Sequence, residues 1–249
     1  MDFSPTPIEV ADRAWRLLGR AGARAWPVLL FIGFMPERVI SDTVGGDFDA
    51  GGWAAAVNLA VWLVSRVFLG LAYVIAQRMM ADEIDGPPRA NWTAGAVLRQ
   101  VRQGAWLFAL TGWLVVPLMA LKTWLFQVNP LACAALWYTT AYFMPAFVID
   151  RRPLRVCARN ALRLARSRSP GIVVAVVLTL VLQWGLSVLQ NLGFGLVALA
   201  GAGEKVTFTL DCLIRSALAV VVAAWTMGLY ACLRERVEGG AQRVADLFD

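Results

Sequence analysis

Repeated apolar runs, several of them as long as a membrane-spanning helix, dominate this sequence of 249 residues. An α-helix rises 1.5 Å per residue, so about 20 apolar residues cross the ~30 Å hydrocarbon core of a bilayer. Apolar residues make up 59% of the chain and charged residues 16%, against roughly 45–50% and about 25% in soluble domains. The runs predict an all-α, polytopic transmembrane helix bundle that forms a single integral membrane domain over residues 1–249.

Six apolar stretches are candidate spans. They cover approximately residues 26–40, 53–76, 105–126, 131–149, 171–200 and 206–233. The first is the weakest, because only residues 26–36 are continuously apolar before Glu37 and Arg38. A run this short can also be re-entrant or interfacial, and we count it as a span because the topology requires one.

The positions of the basic residues predict the orientation of the bundle. Lys and Arg that flank spans are retained on the cytoplasmic side of the membrane. With a cytoplasmic N-terminus, eighteen of the 23 basic residues fall in cytoplasmic segments, and three, Arg38, Lys122 and Lys205, fall outside. This bias predicts that both termini are cytoplasmic, which an even number of spans allows.

Three basic segments, at approximately 8–25, 92–103 and 153–167, each lead into an outgoing span. We expect them to form amphipathic helices at the cytoplasmic surface of the membrane. The third carries a stripe of five arginines that step by 3, 4, 4 and 3 residues and therefore share one helix face: Arg152, Arg155, Arg159, Arg163 and Arg166. Guanidinium groups pair bidentately with phosphate, so this stripe predicts binding of anionic lipid headgroups. Alternatively, its charges serve only to set the topology.

Arg66 lies inside the apolar stretch 53–76, where a charge is costly and is a candidate functional group. Three roles fit its position. It can pair with helix carbonyls or Gln183 as a structural group, extend its side chain to the lipid headgroups, or line a path for a solute or ion.

Two further polar groups lie in the last two apolar stretches. Asp211 and Arg215 are spaced i, i+4, so they can neutralise each other on one helix face, although an intramembrane carboxylate can also be a proton or cation site. Four more residues share one face of the stretch 171–200: Gln183, Ser187, Gln190 and Asn191. They predict either hydrogen bonds between helices or a water-filled lumen.

Enzymatic chemistry is not expected from this composition. The chain contains no histidine, which removes the commonest general base and metal ligand near neutral pH. The four cysteines are scattered without a CxxC pair, so neither a metal site nor a disulfide framework is indicated. We therefore expect no catalytic residues, metal or cofactor, and no nucleic-acid partner, because the arginines flank spans rather than form a separate basic domain.

Two passages carry a family resemblance: AFVIDRRPLR at 146–155, which continues to NALRLAR at 160–166, and LYACLRERVEG at 229–239. With the alternation of basic helices and spans, they resemble a bacterial family named after the membrane domain of glycerophosphoryl diester phosphodiesterase. The resemblance implies a six-helix module of the bacterial cytoplasmic (inner) membrane. The catalytic domain to which that module is sometimes fused is absent here, so the resemblance lends no activity.

The sequence therefore favours a non-enzymatic membrane module whose arginine-rich cytoplasmic face engages anionic phospholipids or a membrane-protein partner. A small-solute or lipid transporter that uses the intramembrane polar residues is the alternative. A lipid-modifying membrane enzyme is a weaker one, because no converging acid and base are evident.

Overall fold

A computed structural model of the chain describes residues 6–44, 52–84, 140–166 and 203–245. It also describes single positions or short groups at 93, 95, 98–99, 129, 177, 181, 184–185, 188–189, 191–193 and 195. Across these residues the regular structure is helical throughout and no strand occurs, which confirms the predicted all-α class. The predicted span 105–126, the first half of the span 131–149, most of the span 171–200 and most of the basic helix 92–103 lie outside the described residues.

The first described helix, α1, covers Pro7–Val28 and begins with a capping box. The Thr6 hydroxyl accepts from the Glu9 N–H at 3.4 Å, and the Glu9 carboxylate accepts from the Thr6 N–H at 3.0 Å, so two of the free backbone donors at the helix start are satisfied. After α1 the chain continues without a break through a π-helical turn, Leu29–Phe34, into helix α2, Met35–Val44. The predicted basic helix 8–25 and span 26–40 are thus parts of one continuous helical stretch.

Two of the described helices, α3 and α5, are longer than the apolar stretches that predict them. Helix α3 covers Gly52–Ile84, 33 residues, and helix α5 covers Glu204–Ala245, 42 residues, whereas the predicted spans end at 76 and 233. The added turns carry charged residues, among them Arg78 and Glu83 of α3 and Arg234 and Glu235 of α5. Hydropathy marks only the apolar part of a helix, while a helical backbone continues into polar residues because its hydrogen bonds stay satisfied there.

Small residues form the interface between α1 and α5, which run antiparallel. Ala14, Ala21 and Ala25 of α1 are buried, and Gly228 of α5 lies against the α1 backbone. A Cβ placed at Gly228 would lie 2.9 Å from the Ala14 nitrogen and 3.0 Å from the carbonyl oxygen of Val10. Such close backbone approach is typical of helix pairs in membranes, where association depends on packing rather than on hydrophobic burial.

Helix α4, Leu154–Arg166, lies within the predicted range 153–167. It follows a helical segment, 140–148, and a short turn in which Arg151 adopts a positive φ of 53°. Cys157, Ala161 and Leu164 form its buried face. Their spacing of four and three residues matches the helical repeat, so one face of α4 packs on the protein.

Two described helical stretches, Pro7–Ile40 and Lys205–Val237, are long and apolar enough to cross a membrane. They correspond to the first and the last of the six predicted spans.

Candidate interfacial site

The start of α1 meets the last turns of α5 through two ion pairs. Arg13 donates to both carboxylate oxygens of Glu235, at 2.7 and 2.6 Å, and Arg236 donates to Glu9 at 2.8 Å. The planar guanidinium of Arg13 matches the carboxylate in two parallel hydrogen bonds. Arg13 of the predicted basic helix 8–25 is therefore held by an acid of α5, and Arg236 of α5 by an acid of α1.

The ends of α3 and of the segment 140–148 lie at the same end of the molecule. Arg78, near the end of α3, donates to the carbonyl oxygen of Val148 at 3.3 Å, and Asp150, just after the segment 140–148, accepts from the Tyr230 hydroxyl of α5. We call this end of the molecule the basic end. It brings together the start of α1, the last turns of α5 and the turn before α4, for which the distribution of basic residues predicts a cytoplasmic location. Arg24, in the last two turns of α1, pairs with Glu83 of α3 further along the molecule.

Asp150 is the central carboxylate of the basic end. Besides the Tyr230 hydroxyl, it lies 3.4 Å from Nε of Arg152 and 3.8 Å from Nη1 of Arg234. The Tyr230 ring lies against Tyr142, with ring centroids 5.8 Å apart. A single carboxylate therefore ties the end of α5 to the turn that precedes α4.

Side chains of α4 also attach this helix to the rest of the protein. The Asn160 amide donates to the Tyr142 hydroxyl at 3.0 Å, which links α4 to the segment 140–148. Cys157 is fully buried, and burial raises the pKa of its thiol. The side of α4 that packs on the protein therefore consists of apolar side chains and one hydrogen-bonded amide, that of Asn160.

The arginine stripe of α4 divides into held and exposed members. Arg152 is partly buried and faces Asp150, whereas Arg155, Arg159 and Arg163 are exposed. Within the described ranges none of these three makes an ion pair. The side chain of Arg166 lies outside the described residues.

Arg78, near the end of α3, is a buried arginine at the basic end. It is 8% exposed and donates from Nη2 to the carbonyl oxygen of Val148 at 3.3 Å. Burial lowers its pKa, the nearby positive charge of Arg151 lowers it further, and Asp82 opposes both effects. Arg78 lies just after the predicted span 53–76, and its guanidinium group places a positive charge beside the turn that precedes α4.

Asp211 and Arg215 form the predicted i, i+4 ion pair near the start of α5. Arg215 Nε donates to Asp211 at 2.6 Å, and Arg38 Nε lies 3.8 Å from the same carboxylate. Asp211 is 3% exposed. Nearby, the Trp26 indole donates to the Ser216 hydroxyl at 2.9 Å, so this opposite end of α5 is tied to α1 and α2.

The remaining predicted site residues are not brought together in the described part of the chain. Arg66 lies in α3, but its side chain is outside the described residues, as are Gln183, Ser187 and Gln190. Asn191 is helical and exposed. The polar stripe of residues 183–191 therefore stays a prediction.

Asp150 and Tyr230 were not among the sequence candidates, although a signal for them existed. Each lies in one of the two passages that carry the family resemblance, 146–155 and 229–239. Their hydrogen bond brings these two passages into contact. Comparison of the chain with family models, with curated proteins and with solved structures finds no match.

No group of three or more cysteine, aspartate or glutamate residues suited to a metal ion occurs among the residues that the structure describes. What the basic end offers chemically is guanidinium groups, some paired with carboxylates and some exposed. Such groups bind anions with oxygen donors, phosphate above all.

Proposed function

We propose that this chain is a non-enzymatic integral membrane module that engages anionic phospholipid headgroups through the exposed arginines of α4. The observation that carries the proposal is the contrast between two sets of arginines. Arg13 and Arg236 are paired with acids of the same chain, whereas Arg155, Arg159 and Arg163 are exposed and, among the described residues, make no ion pair.

A lipid environment is supported by the surface of α3. Trp53, Val57, Val64 and Phe68 are all exposed and are spaced by four, seven and four residues, while Ser65 is buried. Large apolar side chains on the outside with a polar one inside are expected where the surrounding solvent is hydrocarbon.

On this basis we propose the six-span arrangement with both termini in the cytoplasm of a bacterial inner membrane. The contact of the α1 start with the last turns of α5, and of Arg78 of α3 with the turn before α4, supports it. The family resemblance of residues 146–166 and 229–239 also favours it, as a resemblance only.

The geometry of α4 suits the surface of a membrane. At about 100° per residue, the exposed arginines lie roughly 170° from the buried face. Leu154 and Leu162, 54% and 57% exposed, lie between the two. An interfacial helix needs such an arrangement, because its apolar flank enters the acyl boundary while its basic face stays among the headgroups.

The test is neutralisation of the exposed stripe. The variant Arg155→Gln, Arg159→Gln, Arg163→Gln should retain less phosphatidylglycerol or cardiolipin in native mass spectrometry, because each basic residue near an anionic surface contributes about 1 kcal/mol. Higher ionic strength should mimic the variant, since the attraction decays over a Debye length of about 8 Å at physiological salt. Fifteen other cytoplasmic basic residues remain to hold the topology.

A matched control removes the same charge elsewhere. Arg13→Gln, Arg16→Gln, Arg236→Gln takes three positive charges from arginines that pair with Glu235, Asp12 and Glu9. Lipid retention should then change less than in the α4 variant. Unchanged retention in the α4 variant at low and high salt alike would leave its arginines as orientation signals only.

The proposed topology has its own test. Cysteine substitutions at residues 42–52 should react with an impermeant maleimide added from outside, whereas substitutions in 82–89 or after Arg234 should not. The four native cysteines are replaced beforehand. The reverse labelling pattern would refute the six-span arrangement with cytoplasmic termini.

Transport and lipid modification remain alternatives with less support. Asp211, the candidate proton or cation site, is paired with Arg215 at 2.6 Å, which favours a structural role because the carboxylate is already neutralised. A membrane-protein partner at the α4 face is a further alternative, and lipid retention in the stripe variant distinguishes it from headgroup binding.

A further inference from the structure

The first half of α1 leaves one apolar face uncovered. Ile8 and Trp15 are 81% and 74% exposed, and the small residues Ala11 and Gly19 are exposed as well. These four positions step by three, four and four residues, so they form one continuous stripe along the helix. We call this stripe the Trp15 face. Large apolar side chains that are exposed together mark an interaction surface.

Charged residues border the Trp15 face on one side. Asp12, Arg16 and Arg20 are exposed and follow one another at intervals of four residues. Arg16 pairs with Asp12, whereas the side chain of Arg20 makes no ion pair within the described part of the chain. The border therefore carries a net positive charge, which an occupant with acidic side chains at its edge complements.

The pairing of α1 with α5 shows where this face lies relative to the bilayer. Gly228 of α5 lies against Ala14, and Trp26 donates to Ser216 at 2.9 Å, so the first half of α1 runs beside the later turns of α5. Residues 219–233 of those turns include no exposed residue, because protein rather than lipid covers them. At the same level α1 exposes charged side chains, which hydrocarbon does not accommodate. We place the edge of the hydrocarbon near Trp26.

Trp15 then lies beyond the lipid headgroups on the cytoplasmic side. Eleven residues separate it from Trp26, about 16 Å along a helix, while each headgroup layer is about 5–8 Å thick. Phe31, 62% exposed, lies on the other side of Trp26, where lipid covers it. Lipid is therefore not the occupant of the Trp15 face. This step rests on the membrane orientation proposed above, but not on lipid binding by α4.

A second copy of the chain fits this face poorly. Two copies in one membrane have the same orientation, so their α1 helices run parallel. A two-fold axis along the membrane normal then places each residue opposite the same residue of the other copy. Arg16 would meet Arg16 and Arg20 would meet Arg20, and like charges brought together across an interface oppose association.

We propose that the Trp15 face docks an acidic amphipathic helix of a partner protein in the cytoplasm. The apolar stripe of that helix packs on Ile8 and Trp15, and carboxylates along its edge pair with Arg16 and Arg20. Two helices recognise each other in this way when apolar residues form the seam and charges form the flanks. Tryptophan is enriched among the few interface residues that dominate affinity, so Trp15 should contribute most of the binding.

The test measures binding of a synthetic helical peptide to the full chain in nanodiscs of phosphatidylcholine, which has no net charge. The peptide has about three heptads, with leucine at positions a and d and glutamate at e and g. A second peptide carries lysine in place of glutamate. Wild type should bind the acidic peptide in preference to the basic one. Trp15→Ala should weaken this binding about thirtyfold, the ratio that 2 kcal/mol at a dominant interface residue gives.

Two further variants separate the anchor from the charges. Arg16→Gln, Arg20→Gln should weaken binding of the acidic peptide and remove most of its salt dependence. Trp53→Ala is the matched control, because Trp53 is 82% exposed on α3, away from the Trp15 face, and its replacement should leave peptide binding unchanged. Since Trp15 is exposed, Trp15→Ala should melt at the temperature of wild type.

The remaining outcomes would overturn the proposal. Equal binding of the two peptides, or no effect of Trp15→Ala, refutes an acidic partner helix. A fluorophore attached at Trp15→Cys, in a chain without its native cysteines, identifies lipid as the occupant if nitroxide-labelled acyl chains quench it as strongly as at Phe31→Cys. Rapid and complete disulfide formation at Trp15→Cys identifies a second copy. The nanodiscs contain no anionic lipid, so failure here leaves the lipid binding proposed for α4 untouched.

Discussion

Replacement of Gly228 by alanine should destabilise the packing of α1 on α5. The new Cβ would lie 2.9 Å from the Ala14 nitrogen, 3.0 Å from the Val10 oxygen and 3.2 Å from the Ala14 Cα. All three are backbone atoms, so no side-chain rotation relieves the overlap and the two helices must separate. Overpacking costs typically about 1–3 kcal/mol, and a rigid backbone neighbour places this site near the upper value. Alanine regains about 1 kcal/mol in helix propensity, so the free energy of unfolding should fall by about 2 kcal/mol.

Gly19→Ala is the matched control for this prediction. Gly19 is an exposed glycine of α1, and a Cβ added there would meet no neighbouring atom within 4 Å, so the same substitution should raise the free energy of unfolding by up to about 1 kcal/mol. Both variants are unfolded reversibly with sodium dodecyl sulfate in mixed micelles and followed by tryptophan fluorescence. The helix-propensity gain cancels in the difference between them. Equal shifts in the same direction would refute the close approach at Gly228.

Three other predictions concern the basic end. Tyr230→Phe should lower the free energy of unfolding by about 1.5–3 kcal/mol, the contribution of a hydrogen bond to a charged group, because it removes a donor from Asp150. Charge reversal at Arg13 or Glu235 alone should destabilise the fold, and the double swap should restore it, with a coupling energy near 1 kcal/mol for this largely exposed pair. Cys157 should resist maleimide in the folded protein and react on unfolding, because burial raises its pKa and keeps the thiol protonated at neutral pH.

Local patterns in the sequence predict local structure in this chain. The arginine spacing of three and four residues predicts a helix over 153–167, and α4 covers Leu154–Arg166. The i, i+4 spacing predicts the ion pair of Asp211 and Arg215, which lies at 2.6 Å. Both depend only on the 3.6-residue repeat of the helix, so neither requires knowledge of which helices are neighbours.

Contacts between distant parts of the chain could not be predicted in this way. Arg13 and Glu235 are 222 positions apart, and Asp150 and Tyr230 are 80 apart. Nothing in the spacing of either pair indicates that the two residues meet, because their contact depends on which helix ends share one end of the bundle. The difference between held and exposed arginines in the stripe could not be predicted either. It arises because Arg152 is held by a carboxylate from the preceding turn, whereas Arg155 is exposed.

The π-helical turn at Leu29–Phe34 determines how the two parts of the first helical stretch are phased. Before the turn, α1 packs on both α5 and α3, and after it α2 packs mainly on α3. An α-helix rotates about 100° per residue, and a π turn holds one residue more than an α turn. Deletion of one residue there would swing α2 by about 100° around its axis and carry Arg38 away from Asp211. The extra residue lets one uninterrupted helix pack on α5 and α3 along its first half and mainly on α3 along its second half.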